Sequence, residues 1–334
     1  MAAIAVTVLI PARNEEFDIA GCIDAVARQD VLLAAIQLIV VDAASDDATI
    51  AQARAVADHY DFGEVLVLDN PARGRSSGLN VGLRAARGAI LARVDARSRI
   101  PPDYISTCRA MLEAHSEVGV VGGSQAARAR SRSAVDVGIA AALRNRWATG
   151  MSRYRRGSTS GPSDTVWMGV FRTAELKSLG GWDEAFALNE DYELNLRYRQ
   201  AGHTVWFDAC LRSDYLPRAS LPVLASQYFR FGRAKGTWWA RGQHPSPRHV
   251  ALVAAPVVFG AALVRAMGRL GPCSVLFVPV LLAGVERAGR VDRPDEPRSS
   301  MMASTAIAVL TGSWWVGVVA GFAGELAHVK HEHA

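Results

Sequence analysis

The sequence predicts an α/β fold: a sheet built from parallel βαβ units and flanked by helices, followed by apolar C-terminal helices that enter a membrane. Three observations carry this. Apolar, β-branched runs alternate with helix-patterned segments over roughly the first 115 residues. A polar or charged cluster follows each of the first four apolar runs. The last third of the chain changes composition and holds a 22-residue run, 303–324, without a charge.

Residues 3–10, 36–41, 64–68 and 89–94 read as strands, and residues 16–28, 46–58, 75–86 and 102–115 as helices. Behind the first strand stands Pro11-Ala12-Arg13-Asn14-Glu15-Glu16. Behind the second stands Asp42, followed by Ser45 and Asp47; Asp47 is expected to cap the next helix. The third leads to Asn70-Pro71-Ala72-Arg73-Gly74-Arg75 and the fourth to Asp95. In open α/β sheets the carboxyl ends of the strands form the ligand-binding edge.

Composition narrows the function. The chain has 334 residues, enough for two units; 50% are hydrophobic and 21% charged, so a disordered chain is excluded. A net charge of +5 is too small to argue for nucleic acid, and no nucleic-acid partner is expected. Cys22, Cys108, Cys210 and Cys273 form no C-x-x-C pair, which speaks against a disulfide scaffold or structural zinc and for a reducing compartment. The N-terminus has no basic stretch and its apolar run ends at Ile10, so the first domain is expected in the cytosol. The first strand is not followed by G-x-G-x-x-G, and no G-x-x-x-x-G-K-[ST] occurs. That excludes a dinucleotide enzyme of Rossmann type and a P-loop NTPase.

Residues 215–285 contain no Asp or Glu but carry Arg218, Arg230, Arg233, Lys235, Arg241, Arg248, Arg265 and Arg269. Anionic headgroups explain such one-signed charge, at about 1 kcal/mol per basic residue near the surface. Three apolar segments follow, 250–266, 271–285 and 303–324. The last, at about 1.5 Å per residue, is long enough to cross a hydrocarbon core. The first two are short crossings or a re-entrant hairpin. Arg287, Arg290, Arg293 and Arg298 lie between the last two and argue for a cytosolic loop. The expected organisation is a domain at 1–220, an interfacial helix region at 221–249 and a membrane region at 250–330. Residues 137–163 lack acids and carry Arg144, Arg146, Arg153, Arg155 and Arg156, as a mobile basic loop or a plain solvated one.

The opening Thr7-Val8-Leu9-Ile10-Pro11-Ala12-Arg13-Asn14-Glu15-Glu16 resembles the first strand and loop of the family 2 inverting glycosyltransferases, which have the GT-A fold. So do Ile39-Val40-Val41-Asp42, Arg75-Ser76-Ser77-Gly78-Leu79-Asn80, and Gly180-Gly181-Trp182-Asp183-Glu184 followed by Asn189-Glu190-Asp191-Tyr192-Glu193-Leu194. Gln227-Tyr228-Phe229-Arg230-Phe231 is similar to that family's Q-x-x-R-[WY] motif, with Phe in the last place. The resemblance runs through about residues 4–236 and points most to membrane-anchored bacterial exopolysaccharide enzymes of the succinoglycan type. It implies a Rossmann-like mixed sheet.

The resemblance also implies roles. Asp191 would be the base that takes a proton from the acceptor hydroxyl, with Glu190 positioning the acceptor. Asp42 would accept from N3–H of a pyrimidine base, and Pro11, Ala12, Arg13 and Glu15 would line the base and ribose. Arg75 would belong to the donor site. Asp95 would be the first acid of a D-x-D motif that holds Mg2+ or Mn2+ against the diphosphate. Here the motif reads Asp95-Ala96-Arg97. Either Arg97 replaces the cation in part, or Asp95 holds it alone with water and phosphate. Gln227 and Arg230 would hold the diphosphate and acceptor.

The expected activity is transfer from a nucleotide sugar, UDP-linked rather than GDP-linked, to a polyprenyl-linked saccharide at the cytoplasmic face of the cell membrane, for surface polysaccharide. The alternatives are a polyprenyl-phosphate sugar synthase and a non-catalytic scaffold.

Overall fold

A computed structural model describes residues 3–149, 152–157, 159–186, 188–218, 220–242, 250, 253–254, 261, 265, 268–269 and 277–332. The chain divides into two compact units. One comprises Met1–Ala126 and Arg153–Tyr215, the other Ala127–Ser152 and Leu216–Ala334. The expected contiguous domain at 1–220 is thus interrupted by a segment that belongs with the C-terminal part.

The first unit is a mixed sheet. Its opening half is β1 (Val6–Ala12), α1 (Ile19–Ala27), β2 (Ile36–Asp42), α2 (Thr49–Ala57), β3 (Glu64–Asp69), α3 (Arg75–Ala85) and β4 (Ile90–Arg93). Then come β5 (Ser98–Arg99), α4 (Tyr104–Ala114) and β6 (Val118–Ala127). The strands lie in the order β3-β2-β1-β4, all parallel, as expected from the alternation. Register puts Ala12 beside Asp42 and Leu9 beside Arg93, which aligns the carboxyl ends of β1, β2 and β4.

β1 and β2 are buried almost throughout, as strands covered on both faces must be. Two polar residues inside them, Thr7 and Gln37, are fully buried and satisfied. The Thr7 hydroxyl donates to Gln37 Oε1 at 2.7 Å, and Gln37 Nε2 donates to Glu64 Oε2 at 2.6 Å.

The sheet continues antiparallel. After the segment 127–152 the chain forms α6 (Arg153–Arg156), β7 (Gly161–Pro162), β8 (Trp167–Arg172), α7 (Thr173–Ser178), α8 (Glu190–Gln200) and β9 (Thr204–Tyr215). β8 pairs antiparallel with β4 and β6, and β9 with β5 and β7. The core between sheet and helices centres on Leu9, Ile39, Leu79, Leu91 and Phe171. Phe171 packs edge-on to Trp182 at 5.9 Å and tilted against Tyr198 at 5.7 Å.

The second unit is helical: α5 (Ala134–Arg144), which Ser133 caps by accepting from Asp136 N, then α9 (Leu221–Ala240), α10 (Phe277–Gly289) and α11 (Ser300–Glu332). The expected segment 250–266 and the first part of 271–285 lie largely outside the described residues. α11 contains Ser300–Ala327, a stretch of 28 residues with mean hydropathy 1.7, long and apolar enough to cross a membrane.

α9, expected as an interfacial helix, runs parallel to α11 in close contact. Two glycine pairs at i, i+4 make this possible. A Cβ on Gly232 or Gly236 would fall 2.0 or 2.1 Å from the carbonyl oxygens of Trp314 or Val318. One on Gly317 or Gly321 would fall 2.1 Å from those of Phe229 or Arg233. Small residues on both sides let the backbones touch, the arrangement that favours helix association in lipid. Trp314, in the middle of the apolar run rather than at its border, packs edge-on to Trp239 of α9 at 6.2 Å.

The arginines of the α10–α11 loop are matched by acids. Arg290 pairs with Glu286 at 2.7 Å, Arg293 with Asp295 at 3.4 Å, and Arg298 with Asp292 at 2.8 Å. Arg144, expected in a mobile loop, is buried in the last turn of α5. It pairs with Glu296 at 2.9 Å and donates to the carbonyls of Ala127 and Val291.

Candidate active site

Two loops at the carboxyl edge of the sheet are laced together. The Asn14 and Glu15 amides behind β1 donate to Ser45 Oγ at 2.9 Å and Thr49 Oγ1 at 2.8 Å behind β2. In return the Asp46 amide donates to Asn14 Oδ1 at 3.1 Å, and the Ala48 amide to Glu16 Oε2 at 3.1 Å. Asn14 takes a left-handed conformation, φ 53°, which its short amide tolerates. Asp47 does accept from the Thr49 amide at the start of α2, at 2.9 Å, as a cap would. Its other oxygen accepts from the Glu16 amide at 3.2 Å, so it also ties the loops. Burial alone would push the Asp47 carboxyl up; the hydrogen bonds from Thr49 and Glu16 outweigh it and hold the carboxyl below its ordinary value.

Asp42 ends β2, 6% exposed. Its carboxylate accepts from the Ser45 amide at 3.0 Å and the Ser45 hydroxyl at 2.5 Å, which fixes its orientation at the rim of this cradle. Pro11 and Ala12 end β1, Glu15 is half-buried and Arg13 is exposed. β2 and β4 flank β1, so Asp42 and Asp95 stand about two strand spacings, roughly 10 Å, apart.

Sequence reasoning passed over the residue at the centre of the site. Arg93, the last residue of β4, is 4% exposed. Its Nε donates to Asp95 Oδ1 at 2.9 Å and its Nη2 to Glu190 Oε1 at 2.9 Å. Arg75, at the start of α3, stands 3.6 Å from the same Glu190 oxygen. Burial would lower the affinity of Arg93 for its proton, but Asp95, Glu190 and Asp191 raise it, so the side chain stays cationic. Burial would raise the Asp95 carboxyl, yet Arg93, Arg75 and Arg97 hold it below the ordinary range.

Glu190, expected to position the acceptor, is 2% exposed and its Oε1 is engaged by Arg93. Asp191, next in the first turn of α8, is partly exposed, and one of its oxygens accepts from the Tyr192 amide at 2.8 Å. Arg97 is no solvated surface residue. It is 14% exposed, lies 3.3 Å from Glu15 Oε1 and stacks over the Tyr215 ring at 5.5 Å.

The loop that delivers Asp191 is clamped from two helices. Asn80 of α3 accepts from the Trp182 amide at 2.9 Å and donates to the Trp182 carbonyl at 2.8 Å and to Glu184 at 2.9 Å. Arg197 of α8 donates to the carbonyls of Leu179 and Gly181 at 2.6 and 2.7 Å. Gly181 has φ 69°, and a Cβ there would fall 2.5 Å from Asn80 Oδ1, so no other residue fits. Behind Asp95 sits another strained residue: Met168, at φ 53°, accepts from the Asp95 amide through its sulfur at 3.3 Å.

Arg75, Asp95, Arg97, Glu15, Glu190 and Asp191 thus share one edge of the first unit with Asp42. Gln227 and Arg230 belong to the second unit, on α9, half-buried and exposed respectively.

The chain is similar to known proteins in sequence and in fold. Over 260 residues, 77% of each chain, the sequence is 31% identical to the succinoglycan biosynthesis protein ExoA of Rhizobium meliloti. It is 24% identical over 242 residues, 71% of this chain and 74% of the other, to a Methanococcus voltae dolichyl N-acetyl-alpha-D-glucosaminyl phosphate glucuronosyltransferase. The fold superposes on the Pyrobaculum calidifontis mannosyltransferase PcManGT, solved with GDP-Man and Mn2+, with a TM-score of 0.65 at 19% identity, covering 96% and 88% of the two chains. Among the described residues no group of three or more His, Cys, Asp and Glu is gathered to hold a metal ion. The expected ligand Asp95 already has one oxygen on Arg93, and its motif partner is an arginine, so the donor set does not fit a protein-held cation. Residues 3–234 match the family described as glycosyltransferase like family 2; the chain belongs to that family and is a glycosyltransferase of the GT-A fold.

Proposed function

We propose that this chain moves a sugar, with inversion at the anomeric carbon, from a UDP-linked donor to a lipid-linked saccharide in surface polysaccharide synthesis. The observation that carries the reading is the joining of Asp95, Arg93 and Glu190 beside Asp191, at the sheet edge where Asp42 and the laced loops form a nucleoside cradle. ExoA by name serves succinoglycan synthesis, and the Methanococcus enzyme by name acts on a dolichyl-linked sugar phosphate. The second name favours a lipid-linked acceptor.

In this mechanism Asp191 takes the proton of the acceptor hydroxyl as its oxygen attacks the anomeric carbon. The bond from that carbon to the diphosphate oxygen breaks on the opposite face, and the nucleoside diphosphate leaves. Glu190 and Arg93 do not touch the acceptor; they fix the start of α8 and so the direction of Asp191. Asp42 reads the base through its free acceptor capacity.

We further propose that the second unit anchors the chain in the membrane, with the catalytic unit on the cytoplasmic face. The stretch Ser300–Ala327 supports this, as do exposed apolar residues on α11, Val316, Val319 and Phe322. Arg230 and Arg233 on the paired α9 have stems long enough to carry their charge to headgroup level.

The test is Asp191→Asn in membranes supplied with lipid extract, read as release of nucleoside diphosphate. Loss of a general base should lower turnover about 10²–10⁴-fold, with the donor KM little changed. Retained turnover on a polyprenyl phosphate acceptor, which needs no base, would favour the sugar-phosphate synthase instead. Full activity of the variant on a hydroxyl acceptor would refute the assignment.

A further inference from the structure

We infer that guanidinium groups, and not a divalent cation, neutralise the donor diphosphate in this chain. The inference rests on the donor-site reading above and sharpens it. Three arginines converge on Asp95: Arg93 through a hydrogen bond at 2.9 Å, and Arg75 and Arg97 through their charge. A dication set against Asp95 would meet three like charges, whereas a diphosphate would meet three opposite ones.

Position in the motif points the same way. Arg97 stands where the second acid of D-x-D belongs, and it is held rather than adrift, by Glu15 at 3.3 Å and by the Tyr215 ring. Its Nη1 is buried with no hydrogen-bond acceptor. A shielded donor left unmade is costly, and such groups in native structures commonly await a partner. An anionic oxygen is the partner whose chemistry fits. Glu15 takes only part of the five-donor fork, so Arg97 can keep that contact and still bind phosphate. Arg75, with 42% of its side chain exposed, is the member of the trio that faces solvent. The planar fork of arginine suits bidentate contact with phosphate oxygens. Asp95 then serves to orient Arg93, and Glu190 anchors its other end.

The experiment titrates full-length protein in detergent with UDP, and separately with GDP, by calorimetry, once in EDTA and once in Mn2+. Mn2+ binding is followed in parallel by electron paramagnetic resonance. The expected result is nucleotide affinity equal within about threefold in the two conditions, with no Mn2+ bound beyond that carried by nucleotide alone. Arg97→Gln should weaken binding in EDTA at least about tenfold, the loss of one charge-assisted hydrogen bond. Arg97→Asp, which restores the two-acid motif, should bind weakly in EDTA and recover in Mn2+. Nucleotide binding by the wild type only with Mn2+ overturns the inference and leaves the donor site standing. Wild-type affinity of Arg97→Gln in EDTA overturns it as well. Binding of neither nucleotide in either condition overturns the donor-site reading, and this inference with it.

Discussion

Replacing Arg93 by Met probes the centre of the site. The arginine side chain is 4% exposed and joins Glu190, 3% exposed, to Asp95, 20% exposed, through two contacts of 2.9 Å. Met keeps much of the volume and removes the charge, leaving one fully buried carboxylate and one mostly buried carboxylate without their cation. Breaking a buried pair from one side costs about 3–5 kcal/mol, because the abandoned charge remains desolvated. The sheet unit spans roughly 190 residues. At that size each kcal/mol moves the midpoint by about 2–4 °C, so Arg93→Met should melt on the order of 10 °C below wild type. The assay is thermal unfolding of the full chain in detergent, followed by circular dichroism near pH 7.5. Two controls separate charge from packing. Arg93→Met with Glu190→Gln should recover a large part of the loss, since the stranded carboxylate is gone. The deficit of the single variant should also shrink toward pH 5, where protonation relieves the unpaired acids. A single variant within about 2 °C of wild type, or a double variant no better than the single, would refute the account of Arg93 as the neutralising bridge.

The remaining expectations concern pH and backbone. Asp95 is depressed in the folded state, so its contribution is complete above the unfolded value of about 3.9 and is lost as pH falls through the lower folded value. Wild type should therefore exceed Asp95→Asn in stability by more at pH 7 than at pH 3, measured by urea unfolding; a constant difference would contradict the ion pair. Gly181→Ala combines an unfavourable φ of 69° with a clash against Asn80. It should cost about 1–3 kcal/mol in unfolding experiments and lower turnover by loosening the loop before Asp191, and a neutral substitution would disprove the clamp.

The parallel half of the sheet was legible because its signals are local. Each of β1 to β4 is a short apolar run, each is followed by a helix pattern, and each observed element falls within a few residues of its expected place. The antiparallel half was not readable from the residues themselves and followed only from resemblance. β5 and β7 have two residues each, too few for any period to register, and β8 carries a strained methionine as its second residue. The second unit was misjudged for a related reason. Residues 137–163 read as a basic loop because their arginines were counted without their partners, and Glu296, which pairs with Arg144, lies 152 positions further along. The glycine pairs at 232/236 and 317/321 did carry a readable signal, two G-x-x-x-G spacings that predict the α9–α11 contact.

Arg93 shows most clearly what a linear reading leaves out. It sits inside Ile90-Leu91-Ala92-Arg93-Val94, a run otherwise fit only for a buried strand. A guanidinium in such a place requires a carboxylate, and that requirement was available from the residues alone. What the order of residues could not supply was the identity of the partner, since Glu190 is 97 positions away. Once that pair is known, three separate departures have one cause. Glu190 turns inward because it is the counterion of a strand residue. Asp95 is half-engaged because it is the other. An arginine is tolerated at the second position of the acidic motif because the first position no longer offers a cation an open carboxylate. Asp191 also acts on Arg93 through its charge, but it is partly exposed, and it is the acid proposed above as the base.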